Sequence, residues 1–307
     1  MAKYDFTLSL VSPAFIAGTD KSKPEMRAPS IRGHLRYWYR AIRGASVDEP
    51  GDLFKQESKA FGSTEEGNKF TLLIVPKGEE EHCRVAMLPH KSNSRERSET
   101  QALKEGQLYV LSLISRPGQS VSKPVIISMA IWSLLGGLGR RSRRMFGAVH
   151  VVPKEESPAE DLWYDTPKSV DELVGTIRDI LHRDVKADDK LKDKIPDFPT
   201  LHPNHSWVIV GKEGYESDNF EGAVTEFFHE LLRREDLRKK ERSFGYAGAK
   251  RRASTIHAQL RLVNNQLYPV LTAFRSKPEK DIDWQHLKKF MEEAQEYFKG
   301  ETVWGGW

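Results

Sequence analysis

The chain has 307 residues, with 48 Lys and Arg against 44 Asp and Glu and a formal net charge of +4. That balance excludes a polybasic arm, so any anion site has to arise from local clustering of cations. The single cysteine, Cys83, excludes an internal disulfide and a multi-cysteine zinc site and suits a reducing cytoplasm. The first residues lack the basic and then apolar run of a secretory signal. The longest mostly apolar stretch, 125–138, falls short of the about 20 residues a bilayer span needs. A cytoplasmic protein without a membrane partner is expected.

The length suits two domains. Tyr4, Phe6, Leu8 and Leu10 alternate with Lys3, Asp5, Thr7 and Ser9, the period of a half-buried strand. A helix follows, with Ser30 as its expected N-cap. Segments 69–75 and 107–114 read as two more strands, and 77–105 between them is a polar insertion, either a long hairpin or a mobile loop. Segment 123–135 is apolar nearly all round and reads as a buried helix. A glycine–arginine loop and a strand near 148–152 complete a β-α-β-β-α-β order.

This order predicts an α+β chain of two tandem ferredoxin-like (RRM-like) domains, the second less regular. Residues 1–153 form the first. Residues 154–205 form a linker holding a helix at 170–182 and a charged connector, 183–202, in which little order is expected. Residues 206–307 form the second, with a strand at 206–210, a helix at 219–234, strands near 255–263 and 266–273 and a helix at 284–298. It is therefore expected to be incomplete or degenerate.

Three segments concentrate cations. At about 100° per residue, Arg32, Arg36, Arg40 and Arg43 share one arc of the first helix, and Ile31, Leu35, Trp38, Tyr39 and Ile42 another. No carboxylate at i+3 or i+4 neutralises this ladder, which is expected to face outward. The segment Gly136-Gly137-Leu138-Gly139-Arg140-Arg141-Ser142-Arg143-Arg144-Met145-Phe146-Gly147 joins glycines, which let a backbone approach phosphate, to guanidinium forks that match phosphate oxygens. In the second half, 244–254 repeats glycines, aromatics and the adjacent cations Lys250, Arg251 and Arg252. Clustered cations on a balanced background point to a polyanion groove.

Arg144, Phe146, Gly147 and Val149 partly imitate an RNA-recognition signature, but the stacking aromatics further on are missing, so backbone and shape contacts are expected. His202-Pro203-Asn204-His205 has metal-compatible spacing without a matching third ligand, and no metal or cofactor is expected. His34, among guanidiniums, invites a role as general base in RNA cleavage, although no partner acid is identifiable. Walker, HExxH and GxSxG motifs are absent.

The segments 6–18, 27–43, 60–63, 136–147 and 250–254 together resemble the first RAMP-module subunit of type III-B CRISPR effectors, the Cmr complex. The most specific matches are R-x-P-S-I-R-G-x-L-R-x-W-x-R and G-L-G-x-R-S-R-R-x-F-G. The resemblance implies a non-catalytic RNA-binding subunit of an antiviral ribonucleoprotein, with CRISPR RNA, target RNA and other Cmr subunits as partners. It carries RNA-facing roles onto Arg27, Arg32, Arg36, Arg40, Arg140, Arg141, Arg143 and Arg144, and more weakly onto Lys250, Arg251 and Arg252. Two readings stand beside it: a metal-independent RAMP-superfamily endoribonuclease that processes CRISPR transcripts, and a purely structural assembly subunit. Met145 stands where such a loop usually has glycine, so a different local backbone is expected there.

Overall fold

The structure is a computed structural model, and it describes all residues except 21, 88–98, 239–243, 246–252 and 278–282. Its first half holds β1 (Lys3–Leu10), α1 (Ala28–Arg43), α2 (Pro50–Phe61), β2 (Phe70–Pro76), a hairpin of β3 (His82–Ala86) and β4 (Glu99–Leu103), β5 (Leu108–Ser115), α3 (Lys123–Leu135) and β6 (Val149–Pro153). The antiparallel sheet runs β2-β5-β1-β6, the ferredoxin-like order. The polar insertion takes the hairpin form.

Helix α4 (Val170–Asp184) leads into a second sheet built from β7 (Ser206–Val210), β8 (Ile256–Val263), β9 (Gln266–Phe274) and β10 (Glu301–Gly305), with α5 (Phe220–Glu226) and α6 (Trp284–Tyr297) as its helices. Its order is β8-β9-β7-β10, the same as the first. The expected incompleteness is therefore corrected: β10 supplies the fourth strand. Glycines and a register shift between Thr302 and Trp304 erase the period-2 signal that would have announced it. The β8–β9 hairpin closes through Asn264 and Asn265 at φ +46° and +64°, the two-residue turn whose twist matches its strands.

The two halves share their cores. Helix α3, apolar on every side, is buried from Val125 to Leu135, in a cluster that takes Val208, Val210, Val270 and Phe274 from the second sheet. A second cluster joins α5 and α6 to Val11, Phe15, Met145 and Phe146 from the first half. Between the halves, α4 buries Leu173, Val174, Ile177, Ile180 and Leu181. The connector after it, expected to carry little order, packs down instead: His202 and His205 are buried, their Nε2 atoms 3.1 and 2.7 Å from the carbonyls of Asp188 and Leu191. Buried imidazoles need such partners, and these anchor the connector. No helix among the described residues is long and apolar enough to cross a membrane.

Candidate nucleic-acid interface

Helix α1 starts at Ala28, with Arg27 as the N-cap residue and no side-chain cap; the expected cap, Ser30, lies inside the helix, three residues past the observed one. Ile31, Leu35, Trp38, Tyr39 and Ile42 are buried as their arc requires. The arginine arc has a different fate from the one its helix predicts. Helix α2 folds alongside and delivers acceptors to it. Arg32 donates to the carbonyls of Phe61 (3.1 Å) and Phe70 (2.6 Å), and Arg36 to that of Gly62 (2.6 Å). Glu57, only 3% exposed, pairs with Arg36 at 3.4 Å and Arg40 at 3.1 Å. Arg43 donates to Gln56, and Arg27 pairs with Glu25 at 3.0 Å. The ladder is thus largely engaged within the protein.

The glycine–arginine loop is stitched to both halves by its backbone. Arg140 N–H donates to Phe15 (2.9 Å), Gly147 N–H to Pro13 (2.9 Å) and Met145 N–H to Ala258 of β8 (2.8 Å). Gly139, Arg141, Met145 and Gly147 all have φ between +61° and +87°. Met145 takes the left-handed conformation that glycine adopts readily. That costs about 1–2 kcal/mol, which complete burial of the side chain offsets by a similar amount.

These turns send successive side chains to different places. Arg140 is exposed and Arg141 half-buried, and neither guanidinium has a partner among the described residues. Arg144 is buried, donating to Ser254 Oγ (3.1 Å) and to the carbonyls of Arg143 (2.8 Å), Ile256 (3.4 Å) and Phe244. Arg143 donates to the Ser254 carbonyl and lies 5.5 Å from the Tyr37 ring centre. Lys250, Arg251 and Arg252 lie outside the described residues.

Between α1 and the loop opens a pocket of about 310 Å³, lined among others by Ser30, Gly33, His34, Tyr37 and Arg40 of α1, Gly137, Ser142 and Arg143 of the loop, and His257 of β8. Among the described residues no carboxylate lines it. His34 stacks on Trp132, and Tyr37 on His257, with its hydroxyl 2.9 Å from His257 Nε2. Burial first, and Arg143 second, push the His34 pKa down to about 4. The same causes hold His257 well below its usual value. Both rings are therefore neutral at pH 7, each presenting one donor and one acceptor.

Tyr37 and His257 escaped the sequence reading. Tyr37 falls between the two arcs of α1. His257 belongs with Gln259 and Arg261 to a polar face of β8 that alternation assigns to solvent. That face is buried against the first half. Arg261 donates to the carbonyls of Leu134 (2.5 Å), Gly136 (2.6 Å) and Val149 (3.2 Å), satisfying the C-terminal end of α3. Among the described residues no group of His, Cys, Asp or Glu is arranged to hold a metal ion.

Two βαββαβ units and a glycine–arginine loop joining them define a class. Residues 7–150 match the family model of the RAMP superfamily. Over an alignment of 334 residues it is 24% identical to the CRISPR system Cmr subunit Cmr1-1 of Pyrococcus furiosus, covering 97% of each chain. It is 37% identical over 60 residues to Cmr1-2 of the same organism, a match of 19% of this chain and 32% of that one. The crystal structure of Pyrococcus furiosus Cmr1 in its apo form superposes with a TM-score of 0.71 at 22% identity, over 100% of both chains. A chain of the type III-B Cmr-beta complex bound to cognate target RNA gives 0.64 at 12% identity, over 96% and 99%. The likeness to these structures is one of fold.

Proposed function

We propose that the chain is an RNA-binding, non-catalytic subunit of a type III-B (Cmr) CRISPR effector, with CRISPR RNA, target RNA and other Cmr subunits as its partners. The observation that carries this reading is the set of cations on the glycine–arginine loop and in the pocket beside it. Among the described residues Arg140 and Arg141 have no side-chain partner, and Arg143 and Arg40 line the pocket, Arg40 also pairing with Glu57. Full-length similarity to Cmr1-1 supports the assembly, and the open guanidiniums support phosphate contact. Arg32, Arg36 and Arg144 act chiefly on the fold, since their terminal guanidinium nitrogens already meet acceptors.

The geometry favours binding over cleavage. An imidazole whose pKa is about 4 is a weak base at pH 7, where an efficient general base titrates near the working pH. Among the described residues the pocket lining also holds no carboxylic acid to orient or relay a proton. RNA incubated with the protein and EDTA is expected to stay intact.

The test is fluorescence anisotropy of single-stranded RNA over a salt series. Replacing Arg140 by Ala and Arg141 by Gly is expected to flatten log K against log salt by about 0.7 per arginine. Glycine at position 141 also removes the left-handed strain. Unchanged affinity and slope would overturn the reading.

A further inference from the structure

The pocket between α1 and the loop contains more than a phosphate clamp requires. One wall is made of rings in layers: His34 lies over Trp132 at 6.2 Å and 16°, and Tyr37 over His257 at 5.2 Å and 27°. The mouth carries cations, Arg143 and Arg40. Its volume of about 310 Å³ lies at the small end of ligand pockets, which span about 300–1,000 Å³.

Gly33 provides an independent argument. It sits in the middle of α1, exposed, and a Cβ built on it would meet nothing within 4 Å. No positive φ requires glycine there. A mid-helix glycine costs about 1 kcal/mol relative to alanine, so the position gives up helix stability with no compensating contact in the free protein. Neighbouring glycines differ: a Cβ at Gly136 would strike Trp132 and Trp38, and one at Gly137 would strike Gln259. Those two are needed by the packing. Gly33 instead leaves the pocket mouth clear.

We propose that this pocket receives one unstacked base of a single-stranded RNA, laid against the His34–Tyr37 wall, while its phosphate rests on the cations at the rim. The inference rests on the RNA-binding reading and names the group taken up by the same site. A base is flat, polar and uncharged, and so suits an aromatic wall whose imidazoles are neutral and offer donors and acceptors to its edge. A phosphate alone would gain no stacking from the rings.

The test compares two probes of equal charge, an oligouridine and the same ribose-phosphate strand without bases, bound to the wild-type protein and to Gly33→Leu. Base–aromatic stacking predicts that the wild type prefers the base-bearing strand roughly tenfold. Leucine at 33 is expected to abolish that preference while leaving the abasic strand's affinity and salt slope as they were. The thermal midpoint should hold or rise, because the space is open and leucine is the better helix former. If the variant keeps the preference, or the wild type shows none, the base pocket is overturned and the phosphate reading survives. If neither strand binds the wild type with salt-dependent affinity, the RNA-binding reading itself is overturned.

Discussion

The arginine helix and the glycine–arginine loop have the same chemistry in composition and opposite fates in space. A helix gives every side chain on one face a common neighbourhood. Once α2 lies beside α1, Glu57, Gln56 and the carbonyls of Phe61, Gly62 and Phe70 reach Arg32, Arg36, Arg40 and Arg43. The loop instead reverses direction at Gly139, Arg141, Met145 and Gly147, so Arg140 is exposed, Arg141 half-buried, Arg143 lines a pocket and Arg144 is buried. Availability of a cation is thus set by acceptors brought from elsewhere in the chain. Local charge density says little about it.

The sharpest way to break this contrast is to remove the buried cations. Arg144→Ala would leave the carbonyls of Phe244 and Ile256 short of a donor, and Arg261→Ala would do the same to Leu134, Gly136 and Val149. Each orphaned acceptor costs about 1–3 kcal/mol. Either variant is expected to lose about 3 kcal/mol or more of stability in urea unfolding, while Arg140→Ala, at an exposed site, stays within about 0.5 kcal/mol. Equal losses at positions 140 and 144 would erase the distinction.

Acid should act next, through the rings beside Arg143. Burial holds His34 and His150 near pKa 4, and His257 well below its usual value, whereas an unfolded chain's histidines titrate near 6.5. Below pH 6.5 the unfolded chain takes up protons that the folded protein refuses. Stability is therefore complete above that pH and falls steadily as pH drops from about 6.5 to about 4. Urea midpoints at successive pH values above the carboxylate range should show this decline, and His34→Gln should flatten part of it. A midpoint unchanged between pH 7 and 5 contradicts the buried, neutral placement.

Much of the first half was legible because its signals are periodic. Alternation marks β1, the apolar arc marks the buried side of α1, and apolarity on every side marks α3. The same rule misjudges β8, whose His257, Gln259 and Arg261 alternate with apolar residues as on a half-solvated strand. That strand packs on both faces, and its polar side finds carbonyl acceptors in the other half. No local pattern contains that partner. For the site, helical phase grouped the cations of α1 correctly but could not place Glu57, which lies in a separate helix. The pocket depends on juxtaposing three segments, 30–40, 137–143 and 257, so only its arginines and His34 were visible beforehand.

A smaller effect separates the two arginine elements in RNA binding. Replacing Arg140 and Arg141 is expected to weaken a single-stranded RNA roughly tenfold at low salt and to reduce the salt slope. Arg32→Gln, whose parent side chain is committed to two carbonyls, should leave the slope within error. Anisotropy on matched preparations checks both, and a larger slope change from Arg32 than from the loop pair would reverse the assignment.

The smallest expected change comes from converting one element toward the other. Glu57 is the buried carboxylate that Arg36 and Arg40 share; Glu57→Gln keeps the shape and an acceptor oxygen but removes the negative charge. The two guanidiniums are partly solvent-exposed, at 32% and 43%, so the stability lost with the ion pairs is discounted by screening to about 1 kcal/mol. Their uncompensated charge should then strengthen RNA binding by a few-fold and steepen the salt slope by at most about 0.7 for each arginine that reaches a phosphate. Arg40 is the better placed of the two, because it already lines the pocket, so Arg40→Gln on the Glu57→Gln background should cancel most of the gain. If neutralising Glu57 leaves affinity and slope unmoved, the ladder is withheld from RNA by the position of α2 itself, and charge compensation is not what separates the helix from the loop.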